Sequence, residues 1–209
     1  MPITASKEAR TLFLQGRAKA ENLEDAGTLF RQAIRKDPTF ALAYVYGART
    51  NQEFWKNVEK AVSLADKVSP GEREWILAAK AQAEGNTVSR KEHLDRLLAL
   101  HPNDPRAHGQ MGFYHNSLGD YVAAAQHFTD AVRLDKNYAP AYNSLGYANL
   151  SLGKYAEAEQ AFKTYIRLIP KNPNPYDSYA ELLMRMGRYD ESIEQYNKAI
   201  SLDPTFANA

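Results

Sequence analysis

Five histidines, His93, His101, His108, His115 and His127, are the side chains best suited by type to metal or acid–base chemistry. A zinc centre needs three or four ligands at close spacing, such as two histidines four apart on a helix with a glutamate between them. No such arrangement occurs. His108 and His115 are seven apart and would share one helix face, but His108 stands where later segments carry Tyr142 and Tyr176. A packing or surface role accounts for it. Phosphate chemistry has no better footing, because Gly153-Lys154 lacks the further glycines that let a backbone cradle a phosphate. The carboxylates Glu157, Glu159, Asp190 and Glu191 fall at the starts of helical segments, where they offset the helix dipole. With no cysteine in the chain, disulfides, thiolate ligands and a cysteine nucleophile are excluded. The expectation is a non-enzyme with no catalytic residue, no metal and no cofactor.

The segments that carry these residues are amphipathic helices in pairs. In Ala139 to Asn172, Tyr142, Leu145, Gly146 and Ala148 mark one helix and Ala158, Phe162, Tyr165 and Leu168 a second. Both follow the three- and four-residue spacing of a helix face. Gly153-Lys154 supplies the turn between them. Pro170 ends the second, because proline offers no N–H and crowds the preceding turn.

The pattern recurs at a step of 34 residues, forward to Tyr176, Tyr179, Ala180, Gly187, Tyr189, Ser192, Tyr196, Ala199, Leu202 and Pro204, and back to His108, Met111, Gly112, Gly119, Tyr121, Ala124, Phe128, Ala131 and Leu134. Upstream it degrades. The prolines Pro38, Pro70 and Pro102 are 32 apart, and Arg90 replaces a small residue. The spacing predicts a first helix from Thr4 or Ser6 to about Ala20, a turn at Asn22-Leu23, and a second helix carrying Ala26, Phe30 and Ala33. Gly47-Ala48 belongs to the first helix of the next repeat, a shortened turn falls around Phe54-Trp55-Lys56-Asn57, and its second helix carries Val58, Val62, Ala65 and Val68. Ser69-Pro70-Gly71-Glu72 reads as a capping box with proline in the first turn. Leu94, Leu97 and Leu100 mark the sixth helix.

As a set these residues resemble the tetratricopeptide repeat, whose period is 34. The resemblance implies an all-α, right-handed superhelical solenoid of about six helical hairpins. It reads as a single array over 1–209, with repeats at about 5–38, 39–70, 71–104, 105–138, 139–172 and 173–206. Small residues at Gly112, Gly146 and Ala180 would face Ala124, Ala158 and Ser192 and let the paired helices approach, while Phe128, Phe162 and Tyr196 fill the space beside them. Members of the family are protein-binding scaffolds whose first helices line a concave groove. Carried onto this chain, that groove would present Arg106, Phe113 and Asn116, then Asn143, Tyr147 and Leu150, then Asp177, Glu181 and Arg185. Tyr142 and Tyr176 recur in register and are expected in the core, whereas Phe113, Asn143 and Tyr147 are expected to face outward. The basic clamp by which one subclass binds acidic tails is missing, since Asp177 and Glu181 stand in its place.

Lys+Arg 26 against Asp+Glu 25 gives a formal charge of +1, so bulk electrostatics draw the chain to neither nucleic acid nor an anionic membrane. The 13 tyrosines are mostly packing positions without an interleaved basic stripe, which argues against a base-stacking platform. No apolar run approaches the roughly 18 residues of a membrane helix, and MPITASKEAR has no apolar leader core. The expected location is cytoplasmic, or periplasmic or secreted if a signal peptide has been removed. Thr205 to Ala209 looks like the opening of a seventh first helix. Tyr196, Ala199 and Leu202 would then leave a self-associating face at the uncapped end. The expected function is an adaptor that binds a peptide or helix of a partner; the alternative is an assembly module of a longer protein.

Overall fold

The computed structural model describes residues 1–47 and 54–206. Among the described residues there are twelve α-helices and no strand. They fall into two compact units, Met1–Ala107 and His108–Ala209. Ala48, and Ala207 to Ala209 with the proposed seventh helix, lie outside the described residues.

The first unit contains α1 (Lys7–Glu21), α2 (Gly27–Lys36), α3 (Ala41–Gly47), α4 (Phe54–Ser63), α5 (Pro70–Ala83) and α6 (Thr87–Leu100). Ser6 is the N-cap of α1, its hydroxyl accepting from the Ala9 amide. Phe13, Phe30 and Phe40 are fully buried, with the Phe13 ring 5.8 Å from Phe30 and 4.9 Å from Phe40. Leu23, in the turn after α1, has φ 58, whereas the equivalent turn after α9 is made by Gly153 at φ 71. A side chain in that left-handed region costs about 1–2 kcal/mol. The first hairpin therefore closes at higher local cost.

The expected capping box is present. Ser69 accepts from the Glu72 amide, Glu72 accepts from the Ser69 amide, and Pro70 opens α5. Thr4, offered as an alternative cap for α1, instead joins this box. Its amide donates to Glu72 Oε1 at 2.9 Å, its hydroxyl donates to Glu72 Oε2, and its Oγ1 accepts from the Ser69 amide at 3.2 Å. Residues before α1 are thus tied to the start of α5. Two expectations fail in this unit. Phe54 to Asn57 open α4 rather than forming a turn, because Val58 and Ala61 bury one helix face. That helix stops at Ser63, so Ala65 falls in a 3-10 turn (Ala65–Lys67) and Val68 follows it. Leu100 is also exposed, unlike buried Leu94 and Leu97, since two successive steps of three rotate it off the face.

The second unit contains α8 (Tyr121–Leu134), α9 (Ala139–Ser151), α10 (Tyr155–Leu168), α11 (Asn174–Arg185) and α12 (Tyr189–Leu202), with most of α7 (Pro105–Ser117). Ring against glycine is its packing device. A Cβ added to Gly146 would lie 2.5 Å from Phe162 Cε1, and one added to Gly112 would lie 2.6 Å from Phe128 Cε1. The third pair is filled differently, with the Ser192 hydroxyl donating to the Ala180 carbonyl at 2.8 Å. Tyr142 and Tyr176 prove to be half-buried rather than core. The Tyr176 hydroxyl reaches the Pro170 carbonyl at 3.0 Å, as the Tyr44 hydroxyl reaches that of Pro38 at 3.2 Å. Their phenols keep one end wet, as amphipathic tyrosines do. On α12, Ala199 is fully buried and Tyr196 and Leu202 half-buried, while Ile193 and Ile200 are the exposed aliphatics.

Glu159 on α10 ties three helices together. It accepts from Lys163 Nζ at 2.8 Å, from the Tyr179 hydroxyl on α11 at 2.7 Å and from Arg188 Nη1, just before α12, at 3.1 Å. Burial would raise its pKa, but these three donors hold it down at about 2. Because the folded pKa lies below the unfolded one, the contribution is complete above the ordinary value of 4.5 and is lost as pH falls through about 2. Glu159→Gln is expected to melt earlier than the parent near neutral pH, with the gap closing on acidification. Thermal melts at neutral and strongly acidic pH check this; a gap that stays constant would remove Glu159 from the acid response.

Candidate functional site

The sequence-derived groove residues divide between the two units. Arg106, in the first unit, is engaged by a two-point ion pair, Nε to Glu21 Oε1 at 2.6 Å and Nη2 to Glu21 Oε2 at 2.8 Å. Phe113 and Asn116 are on α7. Phe113 is half-buried with its ring edge-on to Phe128 at 5.2 Å, whereas Asn116 is exposed.

The remaining six lie on α9 and α11, with Asn143 and Asp177, and Tyr147 and Glu181, at equivalent positions one repeat apart. Asn143 and Tyr147 are four apart on α9, and Asp177, Glu181 and Arg185 are four apart on α11, so each set shares a face. The Tyr147 hydroxyl joins the two helices by donating to Glu181 Oε2 at 3.2 Å. Its ring packs edge-on to Phe162 at 5.1 Å, and Tyr147 and Leu150 both pack against the buried cluster that contains Phe162, Leu182 and Leu183. Tyr147 therefore both packs and faces the site, contrary to the expectation that it only faces outward. Burial, reinforced by Glu181 and Asp177, pushes its pKa up to about 12, so it remains a donor.

The electrostatics of this face are one-sided. Burial first and Glu181 second raise the Asp177 pKa, and the same two carboxylates push up that of Tyr196 on α12 behind its own burial. Arg185 reaches Glu181 Oε1 at 3.4 Å with a side chain 60% exposed. Asn143 Oδ1 is buried here with no hydrogen-bond partner among the described residues, and Ser178 Oγ is buried beside the Tyr147 hydroxyl. Orphaned buried groups are rare because each forfeits the hydrogen bond it had in water. The cluster holds more acceptor oxygens, on Asn143, Asp177 and Glu181, than the donors beside them occupy.

Metal chemistry has no comparable support. His108 and His127 bring their Nδ1 atoms to 3.3 Å and His115 stacks on His127 at 5.6 Å, yet no group of three ligands able to hold a metal is found among the described residues. The pairing of His127 with the α7 histidines follows from α8 folding back. A second feature was not foreseen: a cavity of about 630 Å³ in the first unit, lined by Phe13, Arg17, Leu42, Tyr46 and Trp75. Tyr46 and Trp75 stack at 6.2 Å in its wall. The uneven 32-residue steps in this half gave no register by which to align those aromatics.

Comparison with known proteins brings the family in. Residues 114–173 match the family model described as tetratricopeptide repeat, and residues 180–209 match one described as TPR repeat. Comparison with curated proteins finds no sequence match. Among solved structures the chain is similar to one in the APC/C hetero-tetramer Cut9–Hcn1, at 20% identity and TM-score 0.68, over 96% of this chain and 41% of that one. It is also similar to MamA MSR-1, at 21% identity and TM-score 0.63, over 85% of this chain and 99% of that one. A further likeness, to MamA AMB-1, has 22% identity and TM-score 0.60, over 80% of this chain and 100% of that one. At these identities the likeness establishes the fold, an all-α array of helical hairpins.

Proposed function

Since this chain is a tetratricopeptide repeat protein, we propose that it is a non-catalytic scaffold that binds an extended segment of a protein partner across α9 and α11. The observation that carries this reading is the buried, unpartnered Oδ1 of Asn143 beside the Tyr147 ring. A carboxamide presents both a donor and an acceptor and so can pair with the N–H and C=O of one extended residue. Tyr147 adds rigid apolar area next to it at small entropic cost. Asn116 and Phe113 would extend the same surface along α7.

Selection of a displayed random dodecamer library on the immobilised chain tests this. Enriched peptides are expected to bind in solution, to compete with one another, and to weaken by about tenfold or more on Asn143→Ala, a loss of the size that truncating an interface hot spot produces. Tyr147→Phe, which keeps the ring, should cost less. Enriched peptides that bind Asn143→Ala as well as the parent would move the site elsewhere, and the cavity beside Tyr46 and Trp75 would be the next to probe.

A further inference from the structure

The chemistry of this face specifies one feature of the segment it takes. We propose that Asp177 and Glu181 receive the cationic end of a lysine or arginine side chain of the bound segment, an inference that rests on the scaffold reading above. Three independent observations point there. First, the two carboxylates stand one helical turn apart on α11, and Asp177 has neither an ion pair nor a side-chain hydrogen bond among the described residues, while Glu181 has only Tyr147 and a long contact to Arg185. Second, a buried acceptor beside them wants a donor: Asn143 Oδ1 has no hydrogen-bond partner among the described residues, and the Ser178 hydroxyl, in a residue 1% exposed, is spent at most on the Tyr147 hydroxyl. Third, the local field is already costly to the protein, since burial and mutual repulsion hold Asp177 above its ordinary pKa.

An ammonium or guanidinium is what all three require. It carries several N–H donors and no acceptor, so it can bond carboxylate and amide oxygens at once. Its charge would relieve the repulsion between the two carboxylates. Charge-assisted bonds of this kind are stronger than neutral ones and strengthen further where water is partly excluded. An acidic segment would meet like charge, so the same residues provide rejection as well as attraction. Arg185 does not close the site, because its exposed guanidinium touches one oxygen of Glu181 from the solvent side.

The test uses three capped dodecamers on one alanine–serine background, bearing two lysines, two glutamates or no charge. In fluorescence anisotropy the lysine peptide is expected to bind at least about tenfold more tightly than the other two, with affinity falling as salt rises. Asp177→Asn with Glu181→Gln should abolish the preference, and Asp177→Lys with Glu181→Lys should invert it toward the glutamate peptide. Circular dichroism establishes that each variant is folded. Equal binding of lysine and glutamate peptides to the parent, or a lysine preference that survives the neutralising pair, overturns the proposal. So does tighter binding of spermine than of the lysine peptide at matched charge, which would assign the site to a free polyamine. If library-selected peptides bind through Asn143 but show no enrichment in lysine or arginine, the charge assignment fails while the scaffold reading stands. If no library peptide depends on Asn143, the scaffold reading itself fails.

Discussion

Phe162→Ala is expected to destabilise the second unit by about 3–5 kcal/mol, the range for removing a fully buried ring. The ring is 0% exposed, lies against the backbone of Gly146, and forms one side of the edge-on pair with Tyr147. Truncation would leave a void that α9 cannot fill, since Gly146 has no side chain to lean into it, and neighbouring helices would have to collapse. Phe162→Leu should recover most of the loss. Urea denaturation followed by circular dichroism measures it, and a loss below about 1 kcal/mol would show that the hairpin re-packs and that the ring–glycine contact is not its main support. Any peptide binding should fall with it, because the same ring props Tyr147.

Glu72→Leu is the polar counterpart in the first unit, with an expected loss of about 2–4 kcal/mol. Glu72 is 0% exposed, and its carboxylate accepts from the Ser69 amide and hydroxyl and from the Thr4 amide and hydroxyl. Leucine fills the volume and satisfies none of these donors, so the cap of α5 and the anchorage of residues before α1 are lost together. Hydrogen exchange is the sharper readout: the Thr4 and Ser69 amides should become unprotected, whereas α1 amides past its first turn should not. A Thr4 amide that exchanges as slowly in the variant as in the parent would mean that Glu72 does not anchor the segment.

Much of this architecture could be read from the chain alone, and the reason is local. The Ser69–Glu72 box, the glycine turns and the closing prolines are each specified within a few residues. The small residues and the large rings are legible too, because their period repeats, but not that each ring lies directly on a glycine. What escaped were interactions between residues far apart in sequence. Thr4 meets Glu72 across 68 positions, and nothing within a few residues of either one signals the pairing. Phe54 was mistaken for turn because the upstream step is irregular. The repeat pattern reads Tyr142 as core and Tyr147 as surface, whereas both are half-buried, since a helix in this fold has flanks as well as a front and a back. For the site, the acidic pair was visible as a departure from the basic clamp. The orphaned Asn143 oxygen was not, because a missing partner has no letter in a sequence.

Within the second unit, α9 packs most closely on α10, α10 on α11 and α11 on α12, with a lesser contact between α9 and α11. Such nearest-neighbour packing has a mechanical consequence. Load applied along the segment cannot be shared across a sheet or a central core, so it falls on one helix interface at a time. Stretched from its ends, the array should extend in small successive steps, each about one hairpin long, and recoil the same way, because each step re-forms contacts only between residues close in sequence. The protein is thereby suited to behave as a spring.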